Sequence, residues 1–190
     1  MGPSQLAHVS FLNGMKFDAP EVPFSESILK SRAHSHVLIY TPFSTEITIN
    51  WFREHLGVDP TNEPCMYNQD WYLKEDFAGV TSLDGAWHLI QKEVREDIRA
   101  RRPDEIETLF DHERFPTAIT CTFTFFVWWM LSGGERLWKH DFLWCSDRDH
   151  NNDRVYVGRY EDPTGVNKNG FNIHRHLALR PAYSAAPEVI

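Results

Sequence analysis

The stretch that decides the fold is AITCTFTFFVWWML, Ala118 to Leu131, the most apolar run of the chain. Its threonines alternate with larger side chains, a period of two that is typical of a strand. The run is, however, much longer than the ~5–6 residues of an average strand. Pro116 precedes it and Gly133 follows it, as is usual at the two ends of a helix. We therefore predict a helix that is buried on most sides and forms the centre of the core.

The residues before this helix alternate between strand and helix patterns. Residues 1–33 contain prolines and few regular signals, which predicts an irregular N-terminal arm. A helix capped by Ser44 and ended by Gly57 is indicated by an apolar stripe, and Pro103 is placed to begin another helix. Predicted strands are His8–Leu12, His36–Tyr40 and Trp87–Ile90, and Met66–Leu73 is predicted as a strand or a surface hairpin.

The last third of the chain consists of short apolar runs separated by loops rich in Asp, Asn and Gly. Strands are predicted at Leu137–Cys145, Arg154–Tyr160 and Leu177–Leu179, and an antiparallel sheet is the natural construction for them. The predicted fold class is α+β, an antiparallel sheet with a buried central helix and a loop-rich C-terminal part. Because no internal repeat or linker is visible, residues 1–190 are predicted to form one domain.

The composition argues against several classes of function. The 27 acidic residues outnumber the 19 Lys and Arg, for a net charge of -8, so nucleic acid is not an expected partner. No run approaches the ~20 apolar residues of a membrane span, and the beginning of the chain does not resemble a signal peptide. We therefore expect no membrane partner and a cytoplasmic protein. The three cysteines are widely spaced, which favours reduced thiols.

One loop carries oxygen-bearing side chains at alternate positions. Asp147, Asp149, Asn151 and Asp153 lie between two predicted strands, a spacing that suits calcium. It is not a helix–loop–helix calcium loop, because Asn152 stands where glycine is required. The alternative is an Asx-rich turn, in which Asp and Asn side chains bond to their own backbone. Both interpretations are open, and calcium is the only cofactor that the sequence suggests.

Histidines provide the main argument for an enzyme. His174 and His176 flank Arg175 and would share one face of a strand, where they would bind a metal, transfer a proton or serve structure alone. A hydrolase-type reaction would use one of them as general base beside an acid such as Asp147. Cys145 lacks the surroundings of a nucleophile and is predicted to be a buried thiol. No catalytic motif is present, so we assign no catalytic residue.

The segment Trp144 to Tyr183 contains LWCSD, NDRVYVGRY and GVNKNGFNIHRHLALRPAY. It resembles the closing part of bacterial C-type-lectin-like domains, the branch with formylglycine-generating-like proteins and retroelement variable proteins. Leu179-Arg180-Pro181 matches the final strand of that class, whereas Cys145 stands where serine is usual. The stretch GGERLW is also similar to an uncharacterised bacterial family. The resemblance implies a mixed fold with a loop-rich face that binds a ligand, with or without calcium, and no catalysis.

Together these features predict a ligand-binding or interaction module for a small molecule, a sugar or a protein. Aromatic rings stack on sugar rings and amides pair with hydroxyls, which is the chemistry of sugar recognition. The predicted ligand-contacting residues are Trp144, Tyr160, Asn167, Asn169, Asn172, His174 and His176. Two alternatives are a hydrolase-type enzyme and an assembly protein. The latter would form a homo-oligomer through some of the seven tryptophans.

Overall fold

The computed structural model describes residues 1–138, 141–160, 169–175 and 178–190, without the Tyr160 side chain. The fold is α+β, as predicted. The helices are α1 Pro3–Leu6, α2 Glu26–Arg32, α3 Ile49–Leu56, α4 Asp76–Gly79, α5 Pro103–Glu107 and α6 Ala118–Ser132. The strands are β1 His36–Tyr40, β2 Trp87–Gln91, β3 Glu113–Arg114, β4 Phe142–Arg148, β5 Arg154–Tyr160, β6 Gly170–His174, β7 Tyr183–Ser184 and β8 Glu188–Val189.

The strands form two sheets, one antiparallel and one mixed. The first sheet has the order β1-β2-β8-β3 and is antiparallel throughout. The second has the order β6-β5-β4-β7, in which β4 and β7 are parallel. The C-terminal segment contributes to both sheets: β7 lies beside β4, and a few residues later β8 lies between β2 and β3.

The buried central helix is confirmed as α6. Thr117 caps its first turn by accepting a hydrogen bond from Thr120 N, and Gly133 ends it with a left-handed φ of 72°. Thr122 and Thr124 donate their hydroxyl protons to the carbonyls four residues earlier, each at 2.7 Å. These bonds satisfy polar groups that are fully buried, which explains how a threonine pattern typical of a strand fits inside a helix.

Two separate cores lie on the two faces of the second sheet. Val155 and Val157 of β5 belong to the main core, which contains α6. The ring of Phe171 in β6 lies 4.7 Å from that of Phe125 in α6. Tyr156 points the other way, into a smaller cluster with Trp144, Tyr183 and residues near α5. Alternation along β5 therefore directs successive side chains into different cores.

Before α6, the structure confirms the strands β1 and β2 and the helix that begins at Pro103, and it corrects three other predictions. The segment predicted as a strand at His8–Leu12 contains a 3-10 turn at Ser10–Leu12. Residues 1–33 also contain α1 and α2. Ser44 does not cap α3: its Oγ accepts from the backbone of Glu46 and Ile47 in a preceding turn, and Thr48 is the cap. Two hydroxyl side chains compete for the cap, and sequence alone does not separate them.

The segment Met66–Leu73 is not a strand. Met66 forms an isolated parallel bridge to Phe171 at the edge of β6, and turns follow it. The neighbouring Gly170 has a φ of 142°, and a Cβ there would come within 2.6 Å of Tyr67 N. Glycine is required where the two backbones come this close.

The prediction for Arg154–Tyr160 is confirmed as β5, but the strands on either side of it are displaced. β4 begins at Phe142 instead of Leu137, because Trp138 has a φ of 51°, which lies outside the extended range of a strand. Of the strand predicted at Leu177–Leu179, residue 177 lies outside the described residues, and residues 178 and 179 are not in a strand. The strand that follows β5 and pairs with it is β6, which includes residues we expected in an Asn/Gly-rich loop.

Candidate functional site

A cleft of ≈ 330 Å³ lies between the beginning of α5 and the β4–β5 hairpin. We call it the arginine cleft. Its charged and amide side chains are Arg102, Asp104, Arg148, Asn152, Asp153 and Arg154, and Pro103, Trp144 and Leu179 complete the lining. The cleft therefore brings together a predicted ligand-contacting residue, Trp144, and a residue of the acidic loop, Asp153. The arginines were not predicted.

Trp144 belongs to a ladder of rings across the second sheet. Trp144 of β4 is the cross-strand partner of Tyr156 in β5, which is the partner of His174 in β6. The His174 ring lies parallel to the Tyr156 ring, with 5.2 Å between centroids. Trp144 is only 3 % exposed, and its buried Nε1 has no hydrogen-bond partner among the described residues. The tryptophan therefore presents an unsatisfied N–H donor rather than an open stacking surface.

Arg154, the first residue of β5, is also largely buried. Its Nη2 donates to Glu107 Oε2 at 2.7 Å, and its guanidinium lies 5.0 Å from the centre of the Phe115 ring. These contacts fix the Arg154 side chain, but within the described ranges its buried Nε has no hydrogen-bond partner. An unpaired buried donor lowers the stability of the fold by about 1–3 kcal/mol. Two such donors in residues of one cleft therefore need an explanation. A ligand oxygen would relieve that cost.

The remaining charged groups at the cleft lie nearer to solvent. Arg148 donates to the carbonyl of Asn152 at 2.9 Å and lies 3.4 Å from Asp104 Oδ1. Arg102 is exposed and forms no ion pair within the described part of the chain. The lining contains three guanidinium groups and two carboxylates, those of Asp104 and Asp153. Its net charge therefore has a small positive excess.

The acidic loop is organised by its own backbone and by one arginine. Asp149 Oδ1 accepts from the backbone N–H groups of Asn151 and Asp153, both at 2.9 Å. Its Oδ2 accepts from Arg175 Nη1 at 2.7 Å. Burial alone would raise the pKa of Asp149, but the hydrogen bonds from Arg175 and from the backbone lower it. Asn152 follows with a φ of 66°. These are the features of an Asx turn.

Asp147, the first residue of the predicted metal set, lies apart from the turn. Its Oδ2 accepts from Ala118 N at 2.6 Å, at the beginning of α6, and burial raises the pKa of its carboxyl group. Asn151 and Asp153 are exposed. No group of three or more histidine, cysteine or acidic side chains suited to a metal occurs in the described ranges. The geometry thus supports the turn interpretation of this loop.

The other predicted ligand residues that the structure describes, Asn169, Asn172 and His174, lie in or beside β6 and are not among the residues that line the arginine cleft. Asn172 is buried, and its Oδ1 accepts from Gln69 Nε2. Asn169 lies next to β6, and its carbonyl accepts from Cys65 Sγ. Two further predicted ligand-contacting residues, Asn167 and His176, lie outside the described residues, as does the side chain of Tyr160.

The groups considered for catalysis that the structure describes have other contacts, and residue 176 lies outside the described residues. His174 contacts the carbonyl of Arg175 through Nδ1 at 3.0 Å and stacks on Tyr156. Its sequence neighbour Arg175 is the residue that binds Asp149. Cys145 is fully buried, and burial raises the pKa of its thiol well above the ordinary value, as expected of an inert cysteine.

Sequence analysis missed a buried charged cluster in the first sheet, which we call the His88 cluster. His88 Nδ1 lies 2.7 Å from Glu188 Oε2, and its Nε2 lies 3.1 Å from Asp84 Oδ1 and 3.2 Å from Thr41 Oγ1. Arg114 Nε donates to the second oxygen of Glu188 at 2.6 Å. Although burial opposes it, the bonds to Asp84 and Glu188 raise the pKa of His88 to about 9. Thr41 is fully buried, so the arrangement serves stability rather than nucleophilic attack.

Comparisons with known proteins give no relative. No protein-family model matches the chain, and no curated protein or solved structure matches it significantly. The resemblance to C-type-lectin-like domains therefore stays a prediction. None of the helices in the described ranges has both the length and the apolar character needed to cross a membrane.

Proposed function

We propose that this chain is a non-catalytic binding module that holds a hydroxyl-rich ligand of monosaccharide size in the arginine cleft. One observation carries the proposal: the buried donors Trp144 Nε1 and Arg154 Nε both belong to residues that line this cleft, and neither has a partner in the described part of the chain. Buried polar groups are normally paired, and exceptions need an explanation. A bound oxygen atom at each donor would supply one.

The lining favours hydroxyl groups because it offers both donors and acceptors. A hydroxyl donates one hydrogen bond and accepts others, so it pairs equally with arginine and carboxylate groups. Arg102 and Arg148 provide donors near the opening, and Asp104 and Asp153 provide acceptors. The volume of ≈ 330 Å³ is about twice the ~150 Å³ of a cavity that holds benzene, which suits one sugar ring.

The charge balance narrows the ligand further. The small positive excess, together with the unpaired guanidinium of Arg102, favours a sugar that carries one carboxylate. Arginine binds carboxylates through two parallel hydrogen bonds, which adds orientation as well as affinity. A uronic acid combines such a carboxylate with neighbouring hydroxyls and is the ligand class that we favour.

The geometry gives less support to the two alternative functions, a hydrolase-type enzyme and an assembly protein. Asp147 bonds to the helix backbone, and Asp149 to the turn and Arg175, so neither is placed as a partner for His174 in a hydrolase-type reaction. All seven tryptophans are buried or half-buried, which leaves no exposed tryptophan patch for an assembly surface.

Calorimetric titration of the protein with glucuronate, galactose and N-acetylglucosamine tests the proposal. We expect glucuronate to bind most tightly, with a Kd in roughly the millimolar range for a ligand of this size. Arg102→Gln should weaken it about tenfold, whereas Arg101→Gln, which removes the exposed neighbouring charge outside the cleft, should not. Trp144→Phe, which keeps a ring but removes the donor, should weaken all three sugars. The absence of saturable binding, or equal loss from both arginine variants, would contradict the proposal.

A further inference from the structure

A second cavity, of ≈ 340 Å³, lies beneath α2 and shares no lining residue with the arginine cleft. We call it the α2 cavity. Its apolar wall includes Leu29 and Ala33 from the α2 region, Val37 and Leu38 from β1, Leu89 from β2 and Trp128 from α6. None of the residues of α2 is buried, and Ile28 is 38 % exposed, so this helix covers the cavity without being packed into the core.

Two residues that line this cavity each have a buried nitrogen atom for which the described part of the chain provides no hydrogen-bond partner. His36 is 5 % exposed, and its Nδ1 lies 2.8 Å from Ser35 Oγ, but its Nε2 is unpaired. Trp128 Nε1 is likewise buried and unpaired. The indole N–H is only a donor, so it requires an acceptor atom. An apolar ligand could fill the cavity but would not supply this hydrogen-bond acceptor.

The same cavity is bordered by two positively charged side chains. Arg32 and Lys92 line it and are both half-buried. Within the described ranges, neither pairs with a carboxylate, and Lys92 instead lies 5.7 Å from the centre of the Trp128 ring. Burial first, and then the charges of Arg32 and Lys92, lower the pKa of His36 to about 4. His36 is therefore neutral at pH 7, and the local charge is supplied by Arg32 and Lys92.

The geometry points to a second binding site, for a monocarboxylate with an apolar tail. The carboxylate would pair with Arg32 and Lys92 and accept from the indole N–H of Trp128. The tail would lie against Leu29, Leu38 and Leu89. The cavity has about twice the volume of one that holds benzene, which corresponds to a ligand of about ten non-hydrogen atoms. Octanoate has this size, and its carboxylate is ionised at neutral pH.

Titration of ¹⁵N-labelled protein with sodium octanoate tests this site through the indole N–H signals. The Trp128 signal is identified by its loss in Trp128→Phe. We expect it to move saturably, with a Kd of roughly 0.1–1 mM for a ligand of this size. Lys92→Gln and Arg32→Gln should each weaken binding about fivefold, since each removes one partly screened charge. Lys30→Gln, which removes an exposed cation from the same helix, should have no effect.

Two further ligands separate the contributions of charge and tail. Octan-1-ol has the tail without the charge, and acetate the charge without the tail, so both should bind at least tenfold more weakly than octanoate. The inference is overturned if the Trp128 signal does not move up to about 10 mM octanoate, well above the expected Kd. It is also overturned if octan-1-ol binds as tightly as octanoate, or if the Lys92 and Arg32 variants bind like Lys30→Gln.

Discussion

The His88 cluster and the arginine cleft both place charged groups among buried residues, but they differ in how those groups are paired. Both ring nitrogens of His88 have partners, and Glu188 accepts from two side chains. In the cleft, Trp144 Nε1 and Arg154 Nε have none. We expect the paired groups of the His88 cluster to stabilise the sheet, and we propose the unpaired donors of the cleft as contacts for a ligand. The predictions below separate these two roles.

The largest effect is expected from removing His88. His88→Ala leaves Glu188 buried beside a cavity, with Arg114 as its remaining partner, and should lower the free energy of unfolding by about 3–5 kcal/mol. Urea denaturation measures the change. His34→Ala, at an exposed histidine, is the control and should change stability by less than about 0.5 kcal/mol. A similar small loss for His88→Ala would show that the cluster does not hold β8.

The same cluster predicts how stability depends on pH. The pKa of His88 is raised from 6.5 to about 9 in the folded protein, so the folded state retains a proton that the unfolded state releases. Its stabilisation is complete below pH 6.5 and is lost as pH rises through about 9, by a few kcal/mol in total. Urea midpoints between pH 6 and 10 should fall in the wild type. His88→Gln should show a much flatter curve, and parallel curves for the two proteins would rule out this origin.

A smaller loss is expected when the Asx turn is broken. Asp149→Ala removes two backbone hydrogen bonds and the partner of Arg175, and should cost about 2 kcal/mol of stability. Asp153→Ala, in the same loop but exposed, should cost less than about 0.5 kcal/mol. Because the carboxylate of Asp149 is already engaged, thermal unfolding should be the same with calcium and with a chelator. A calcium-dependent rise of the midpoint that Asp149→Ala abolishes would restore the metal interpretation.

The smallest effect on stability is expected in the arginine cleft. Trp144→Phe removes an N–H group that has no partner, so the lost packing and the relieved donor should nearly cancel, leaving a change within about 1 kcal/mol. Ligand binding should nevertheless weaken. Urea denaturation and sugar titration on the same sample compare the two quantities. A loss above about 3 kcal/mol would indicate that the indole has a structural partner after all.

The sequence predicted well those features that local chemistry determines. The apolar run of α6 carries its own boundaries in Thr117 and Gly133, and β5 is bounded by turn residues. β6 was missed because its first residue, Gly170, is required by the close approach of Tyr67, more than a hundred positions earlier in the chain. Contacts between residues so far apart in the chain leave no recognisable pattern in the sequence around either residue.

The candidate site was predicted only in part, for the same reason. Trp144 and the acidic loop were identified from residue type, and both lie at or next to the cleft. Arg102 comes from a distant segment whose charges resemble an ordinary solvated surface, and nothing in sequence places it opposite Trp144. Arg175 was overlooked between two histidines, although its guanidinium holds Asp149 in place. His88 and Glu188 are a hundred positions apart, so their pairing was equally hidden.

The placement of β7 and β8 has a consequence for how the chain folds during synthesis. Each sheet needs residues between Tyr183 and Val189, since β7 completes one and β8 lies between β2 and β3 of the other. While those residues remain inside the ribosome, β3 lacks its neighbour and Glu188 has not reached His88. Such non-local pairing slows folding and prolongs the exposure of apolar surface. The nascent chain is thus expected to need protection from aggregation until its final strand emerges.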